Sequence, residues 1–140
     1  AFAVGNPSVI ESINLIQDNL YVSLFGAVQK AAAEALTGDQ SAVQQLLDTY
    51  TKRRDRFIEA LHHIGWKVDA PHGTFFAWLP VPNGYTSEGF ADLLLEKAHV
   101  VVAPGNGFGL KGEGYVRVGL LDSEERLVEA AQRIGKLNIF

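Results

Sequence analysis

Residues 99–120 read HVVVAPGNGFGLKGEGYVRVGL, and Gly107, Gly109 and Gly112 within them spell G-x-G-x-x-G behind an apolar run, His99–Ala103. Glycines so spaced let a backbone approach a pyrophosphate, provided that a helix follows and turns its N-terminus to the ligand. Here the following residues are Gly114-Tyr115-Val116-Arg117-Val118-Gly119. Their period of two predicts a strand, so the context excludes a dinucleotide loop. A Walker loop is excluded as well, because Lys111 is not preceded by glycine.

The strand itself carries a second candidate. Tyr115, Arg117 and Gly119 share one face, and Val116, Val118 and Leu120 share the other. The valine face is core. A guanidinium in mid-strand must be paired or must reach water. One reading is structural, a salt bridge or an arginine snorkelling to the surface. The other is a planar fork that grips a ligand carboxylate through two parallel hydrogen bonds, beside a glycine that keeps space open.

Other chemistry-bearing residues read as scaffold. Lys52-Arg53-Arg54-Asp55-Arg56 spreads over more than one face of a helix and is interrupted by an acid, which fits a solvated surface better than a nucleic-acid patch. His62 and His63 are adjacent, so they point about 100° apart on a helix and do not chelate as an i, i+4 pair would. No metal site is expected. Asp122, Glu124 and Glu125 read as a capping box and helix-dipole partners, with Asp122 as the cap.

Bulk properties narrow the class. The chain has 140 residues, an apolar fraction of 47% and a formal net charge of −4. That composition supports a real core and argues against a broad nucleic-acid footprint. There is no cysteine, hence no disulfide and no thiolate metal site. No apolar run is long enough to span a bilayer, so the expectation is a cytoplasmic protein with no membrane partner. The sequence opens on an apolar run and contains no methionine, which predicts a processed chain or a piece of a longer one.

The elements that must position these residues follow from periodicity and caps. Ala1–Val4 reads as a short buried strand. Asn6 caps a helix with Pro7 at its first position, running to about Asn19. Asn19–Ser23 is a connection. Leu24–Leu36, apolar on most sides, predicts a buried helix ending near Gly38. Asp39 caps a long helix whose stripe, from Val43 through Tyr50, Phe57 and Leu61 to Ile64, ends at Gly65. Beyond it, Trp66–Asp69 and Thr74–Leu79 predict strands, Thr86 or Ser87 starts a helix to Ala98, His99–Ala103 and Tyr115–Leu121 predict strands, and a last helix runs through Leu127, Ala131 and Ile134.

At this point four stretches converge. P-G-x-x-F-G-x-x-G-x-G-Y-V-R-V, from Pro104 to Val118, resembles the C-terminal region of class I/II aminotransferases, the fold-type I enzymes that depend on pyridoxal phosphate. AFAVGNPSVIESI resembles the segment that follows the family's phosphate-binding arginine. The run from Ser23 through Gln29 to Ala35 resembles its next helices, and GTFFAWLPVP, Gly73–Pro82, its G-x-F/Y segment.

The resemblance implies an α/β parent of the pyridoxal-phosphate transferase type. Residues 1–38 would be the end of its large, cofactor-binding domain, 39–64 a bridging helix, and 65–140 a small α+β domain. It implies that Arg117 binds the substrate α-carboxylate. Phe75 holds the aromatic position of the G-x-F segment, where a ring can line the substrate pocket; alternation alone fits a core aromatic equally well. Tyr21 and Ser23 stand where family members reach a neighbouring subunit's cofactor phosphate, although YVSLFG replaces the commoner T-S-N-P-S-S.

The same resemblance implies amino-acid and 2-oxo-acid substrates and a homodimer. It requires a Schiff-base lysine in a context such as S-x-S/A-K. Lys30, Lys52, Lys67, Lys97, Lys111 and Lys136 all lack that context. The expectation is therefore a parent transaminase whose lysine lies upstream of Ala1, and a chain that alone neither binds the cofactor nor turns over. The rival expectation is a non-enzymatic α+β module that binds a small carboxylate or mediates assembly.

Overall fold

A computed structural model describes residues 2–21 and 24–140. The chain divides into two compact units, residues 1–42 and 43–140. Among the described residues no helix is long and apolar enough to cross a membrane.

The first unit is helical. Helix α1 spans Pro7–Leu20, and Asn6 caps it by accepting from the Ser8 N–H at 3.0 Å. Helix α2 spans Gly26–Thr37 and stops at Gly38. Two expectations fail here. Residues 2–4 form no strand and lie exposed. Helix α2 buries none of its residues, although its alanine-rich sequence reads as a core helix. Both segments carry large apolar side chains that stay exposed, among them Phe2, Val4, Val28 and Leu36.

Helix α3 spans Ser41–His63. Asp39 accepts from the Ser41 N–H at 3.0 Å. Only the C-terminal half of its predicted stripe is buried, at Phe57, Ile58 and Leu61, while Val43, Leu46 and Leu47 are exposed. Beyond its end the chain turns at Gly65, whose φ of 91° suits glycine, and the Trp66 N–H closes back on the Leu61 carbonyl at 3.0 Å.

The second unit is a small antiparallel sheet packed on helices, an α+β arrangement. Strands β1 (Phe76–Pro80), β2 (Ala103–Pro104) and β3 (Tyr115–Gly119) lie in the order β1-β3-β2, with β3 central. Helix α4 spans Ser87–Leu93, capped by Thr86, and continues into a π turn, Leu94–Ala98. Helix α5 spans Glu124–Gly135. The core gathers Phe57 and Leu61 from α3, Leu79 and Val116 from the sheet, Phe90 and Leu94 from α4 and its extension, and Leu127 and Ile134 from α5. Each such side chain contributes about 1.5–3 kcal/mol by leaving water.

Three local expectations are corrected. Trp66–Asp69 is not a strand: Trp66 and Val68 do point inward, but no neighbouring strand offers them a ladder, and the indole N–H instead donates to the Pro80 carbonyl at 3.0 Å. His99–Ala103 pairs only from Ala103 on, because the π turn ends with His99 at a φ of 55° and the Val100 N–H returns to Leu94. The cap of α5 is Ser123, whose hydroxyl accepts from the Arg126 N–H. Asp122 instead accepts from the Ser123 N–H and pairs with Arg126 at 2.8 Å.

Candidate functional site

Register places Arg117 opposite Trp78 on β1 and opposite Ala103 on β2. Cross-strand partners share a face. Phe76, Trp78 and Pro80 therefore stand on the same face as Gly119, Arg117 and Tyr115, while Ala77, Leu79 and Val116 are fully buried on the other. The predicted division of β3 into a core face and an arginine face holds.

The guanidinium is held by rings. Its Cζ lies 4.1 Å from the centroid of Phe76 and 4.2 Å from that of Phe108. Phe76 faces Gly119 across the ladder. A Cβ there would make ordinary contact with the Phe76 ring at 3.7 Å and crowd the Leu121 side chain at 3.3 Å. Trp78 meets Phe108 edge-on at 5.7 Å and stacks on Tyr115 at 5.8 Å.

The other arginines have acceptors. Arg53 donates to the carbonyls of Leu120 and Leu121, and Arg54 to Pro71 and Asp55. Arg56, Arg126 and Arg133 pair with Glu59, Asp122 and Glu129. Among the described residues Arg117 alone of the arginines has neither an ion-pair partner nor a hydrogen-bond acceptor. The structural salt bridge left open by the sequence is thus absent among them. A half-buried cation set over aromatic rings, with no acceptor of its own, has N–H donors left for an acceptor from outside.

The glycine loop is the support for this arrangement. Gly105 and Gly112 pack backbone on backbone: a Cβ at Gly105 would strike the Gly112 carbonyl and reach 2.6 Å from the Tyr115 carbonyl. The Ser87 hydroxyl, fully buried, accepts from the N–H groups of Gly114 and Tyr115 at 2.9 and 3.1 Å and donates to the Gly112 carbonyl. The Glu113 carboxylate accepts from the Ser87 N–H at 2.9 Å. Gly107, by contrast, has open space.

The remaining sequence candidates lie as follows. Phe75, half exposed, packs on Tyr50 and on Phe76, one ring removed from Arg117. Tyr21 is exposed at the end of α1, in the first unit, and its hydroxyl has no partner among the described residues. Ser23 lies outside the described residues. His62 and His63 donate to separate carbonyls, Val68 and Glu59. The described residues hold no group of three potential metal ligands. A cleft of about 340 Å³ runs between α5 and residues 99–102, but Arg117 does not line it.

The aminotransferase class I and II family pattern matches residues 1–134. The chain belongs to that family. It is 68% identical over 139 residues to L-glutamine–4-(methylsulfanyl)-2-oxobutanoate aminotransferase of Bacillus subtilis, covering 99% of this chain and 35% of that protein. It is 43% identical to LL-diaminopimelate aminotransferase of Moorella thermoacetica, again over 97% of this chain and 35% of the relative. Among solved structures, an aminotransferase from Staphylococcus aureus superposes with a TM-score of 0.84 at 34% identity, over 96% of this chain and 36% of that one. The chain spans about a third of the length of the relatives it matches.

The family implies pyridoxal phosphate in such proteins. The described residues of this chain do not by themselves fit that group. Every lysine is exposed, and Tyr21 is exposed with no hydrogen-bond partner for its hydroxyl among the described residues. What the chain does present, among its described residues, is a cation with no acceptor on its donors. Sequence reasoning found Arg117 by alternation. It missed Phe76 and Phe108 as its holders: the period of two puts Phe76 and Trp78 on one face of β1, but only the β1–β3 register sets that face beside Arg117.

Proposed function

We propose that this chain is the C-terminal third of an aminotransferase, which moves an amino group between an amino acid and a 2-oxo acid, and that Arg117 grips the substrate α-carboxylate. The observation that carries the reading is the arginine's unpaired donor edge on an aromatic support. A fork so held orients a carboxylate through two bonds, and fixed orientation is a large part of what a protein supplies to such a reaction. Phe75, beside Phe76, is assigned to the wall of the same pocket.

Residues 1–38 are assigned to the end of the cofactor-binding domain, 39–64 to the bridging helix and 65–140 to the small domain. Pyridoxal phosphate and its lysine are assigned to the rest of the polypeptide, with Tyr21 and Ser23 directed to the cofactor phosphate of a second subunit. A homodimer, a cytoplasmic location and a place in amino-acid metabolism belong to the same proposal. So does inactivity of residues 1–140 alone. The 68% identity to the Bacillus protein, against 43% to the diaminopimelate enzyme, favours L-glutamine as donor and a thioether 2-oxo acid as acceptor.

The test uses the full-length protein. It should be yellow and lose that absorbance on addition of an amino donor. Arg117→Lys keeps the charge and loses the fork, so kcat/KM should fall roughly 10²-fold. Wild-type kinetics in the lysine variant would remove Arg117 from the role, and a colourless protein indifferent to amino donors would favour the non-enzymatic module.

A further inference from the structure

Phe108 is an apolar ring on a surface loop, 52% exposed and outside the core cluster. Burial does not explain it. Yet the loop is built to a tight specification. Gly105 and Gly112 admit no side chain, Gly109 takes a φ of 117° and Gly114 one of 85°, and the buried Ser87 hydroxyl fastens the loop's end to α4. What the loop carries to the arginine face is the Phe108 ring, braced edge-on by Trp78.

We propose that Phe108, acting with Phe76, is a positioning residue that holds the Arg117 guanidinium in the plane in which it receives the substrate carboxylate. The inference rests on the carboxylate reading of Arg117. A guanidinium interacts with rings through its faces and with carboxylates through its edge. The two demands do not compete. Rings 4.1 and 4.2 Å from Cζ therefore restrict the rotamers of a long, flexible side chain without occupying any of its five donors. The freedom that carboxylate binding would otherwise remove is already lost before the ligand arrives.

The experiment uses the full-length holoenzyme, with hexanoate as a plain monocarboxylate probe titrated by calorimetry, alongside KM, kcat and cofactor affinity. Phe108→Leu should weaken hexanoate binding about tenfold, in the range of an aromatic–cation contact. It should raise KM more than it lowers kcat and leave cofactor affinity unchanged. Phe108→Tyr keeps the ring face and should restore most of the lost affinity. The proposal is overturned if Phe108→Leu binds hexanoate within twofold of wild type, or if Phe108→Tyr is as weak as the leucine variant. Arg117→Lys separates the two readings. If it too leaves hexanoate binding intact, the carboxylate role itself has failed; if it weakens binding while Phe108→Leu does not, only the positioning role has.

Discussion

Gly105 and Gly112 meet backbone against backbone where the loop after β2 closes, and a Cβ on either would run into the other's carbonyl. This contact splits the G-x-G-x-x-G glycines into two kinds. Gly112→Ala should destabilise the full-length protein by about 1–3 kcal/mol through overpacking. Gly107 has nothing within 4 Å, so Gly107→Ala should stay within about 0.5 kcal/mol of wild type. Urea midpoints of the two variants decide the matter. Equal losses would mean that the loop is not held by the Gly105–Gly112 approach.

Ser87 is the second fastening of that loop. Its hydroxyl, on a side chain with no solvent access, satisfies the partly buried N–H groups of Gly114 and Tyr115. Ser87→Ala leaves two partly buried donors without their acceptor, at a cost of up to about 1–3 kcal/mol for each group left unpaired. The expected readout is a lowered denaturation midpoint, together with accelerated amide exchange at Gly114 and Tyr115. Unchanged exchange at both amides would show that the hydroxyl does not carry them.

What the sequence made legible follows from local rules. Asn6-Pro7 starts α1 because both the cap and the first-turn proline act within three residues. The two faces of β3 were readable because alternation needs no partner. Trp66–Asp69 reads as a strand and Trp66 and Val68 are buried, but a strand also needs a neighbour, and the neighbour is set by topology. The same holds for Val100–Val102, where Val101 is 80% exposed and the preceding π turn decides the geometry. Asp122 and Ser123 are both good caps, and only the helix start chooses between them. The rings of Phe76 and Phe108 converge on Arg117 from a strand and a distant loop, a relation that no local pattern encodes.

Thr74 is a β-branched residue at a φ of 67°, immediately before Phe75. An L-residue there carries about 1–2 kcal/mol of strain, whereas glycine adopts the conformation freely and gives back about 0.5–1 kcal/mol through unfolded-state entropy. Thr74→Gly should therefore match or exceed wild-type stability by up to about 1 kcal/mol, despite losing its side chain. Thr74→Ala keeps the Cβ and should show no gain. A glycine variant clearly less stable than the alanine variant in thermal unfolding would refute the strain.

Two carboxylates make helix starts sensitive to acid. The Ser41 hydroxyl, and then its N–H, hold Asp39 below its ordinary 3.8, and the Glu125 backbone N–H with the Ser123 hydroxyl holds Glu125 below its ordinary 4.5. A carboxylate depressed in the folded state contributes stability above its unfolded pKa, and that contribution disappears as pH falls through the folded pKa. The starts of α3 and α5 should thus loosen below about pH 4. Asp39→Asn keeps an acceptor and does not titrate, so its stability should fall less than that of wild type between neutral and acid pH. Parallel curves for the two proteins would contradict the assignment.

The apolar faces of the first unit set the behaviour of residues 1–140 on their own. Val9, Ile13, Ile16 and Leu20 form a helical stripe on α1, and Val28 and Leu36 lie on α2, all exposed. Contiguous apolar surface of this kind is covered in a stable protein, and under the proposed function the remaining two-thirds of the polypeptide covers it. Separated from that polypeptide, the 140-residue chain should self-associate and bind a hydrophobic dye, as read by light scattering on a sizing column and by dye fluorescence. Ile13→Glu with Ile16→Lys places both charges on the stripe and should shift the chain toward monomer, because each desolvated charge opposes association. A wild-type chain that runs as a monomer without binding dye would show that these faces need no partner.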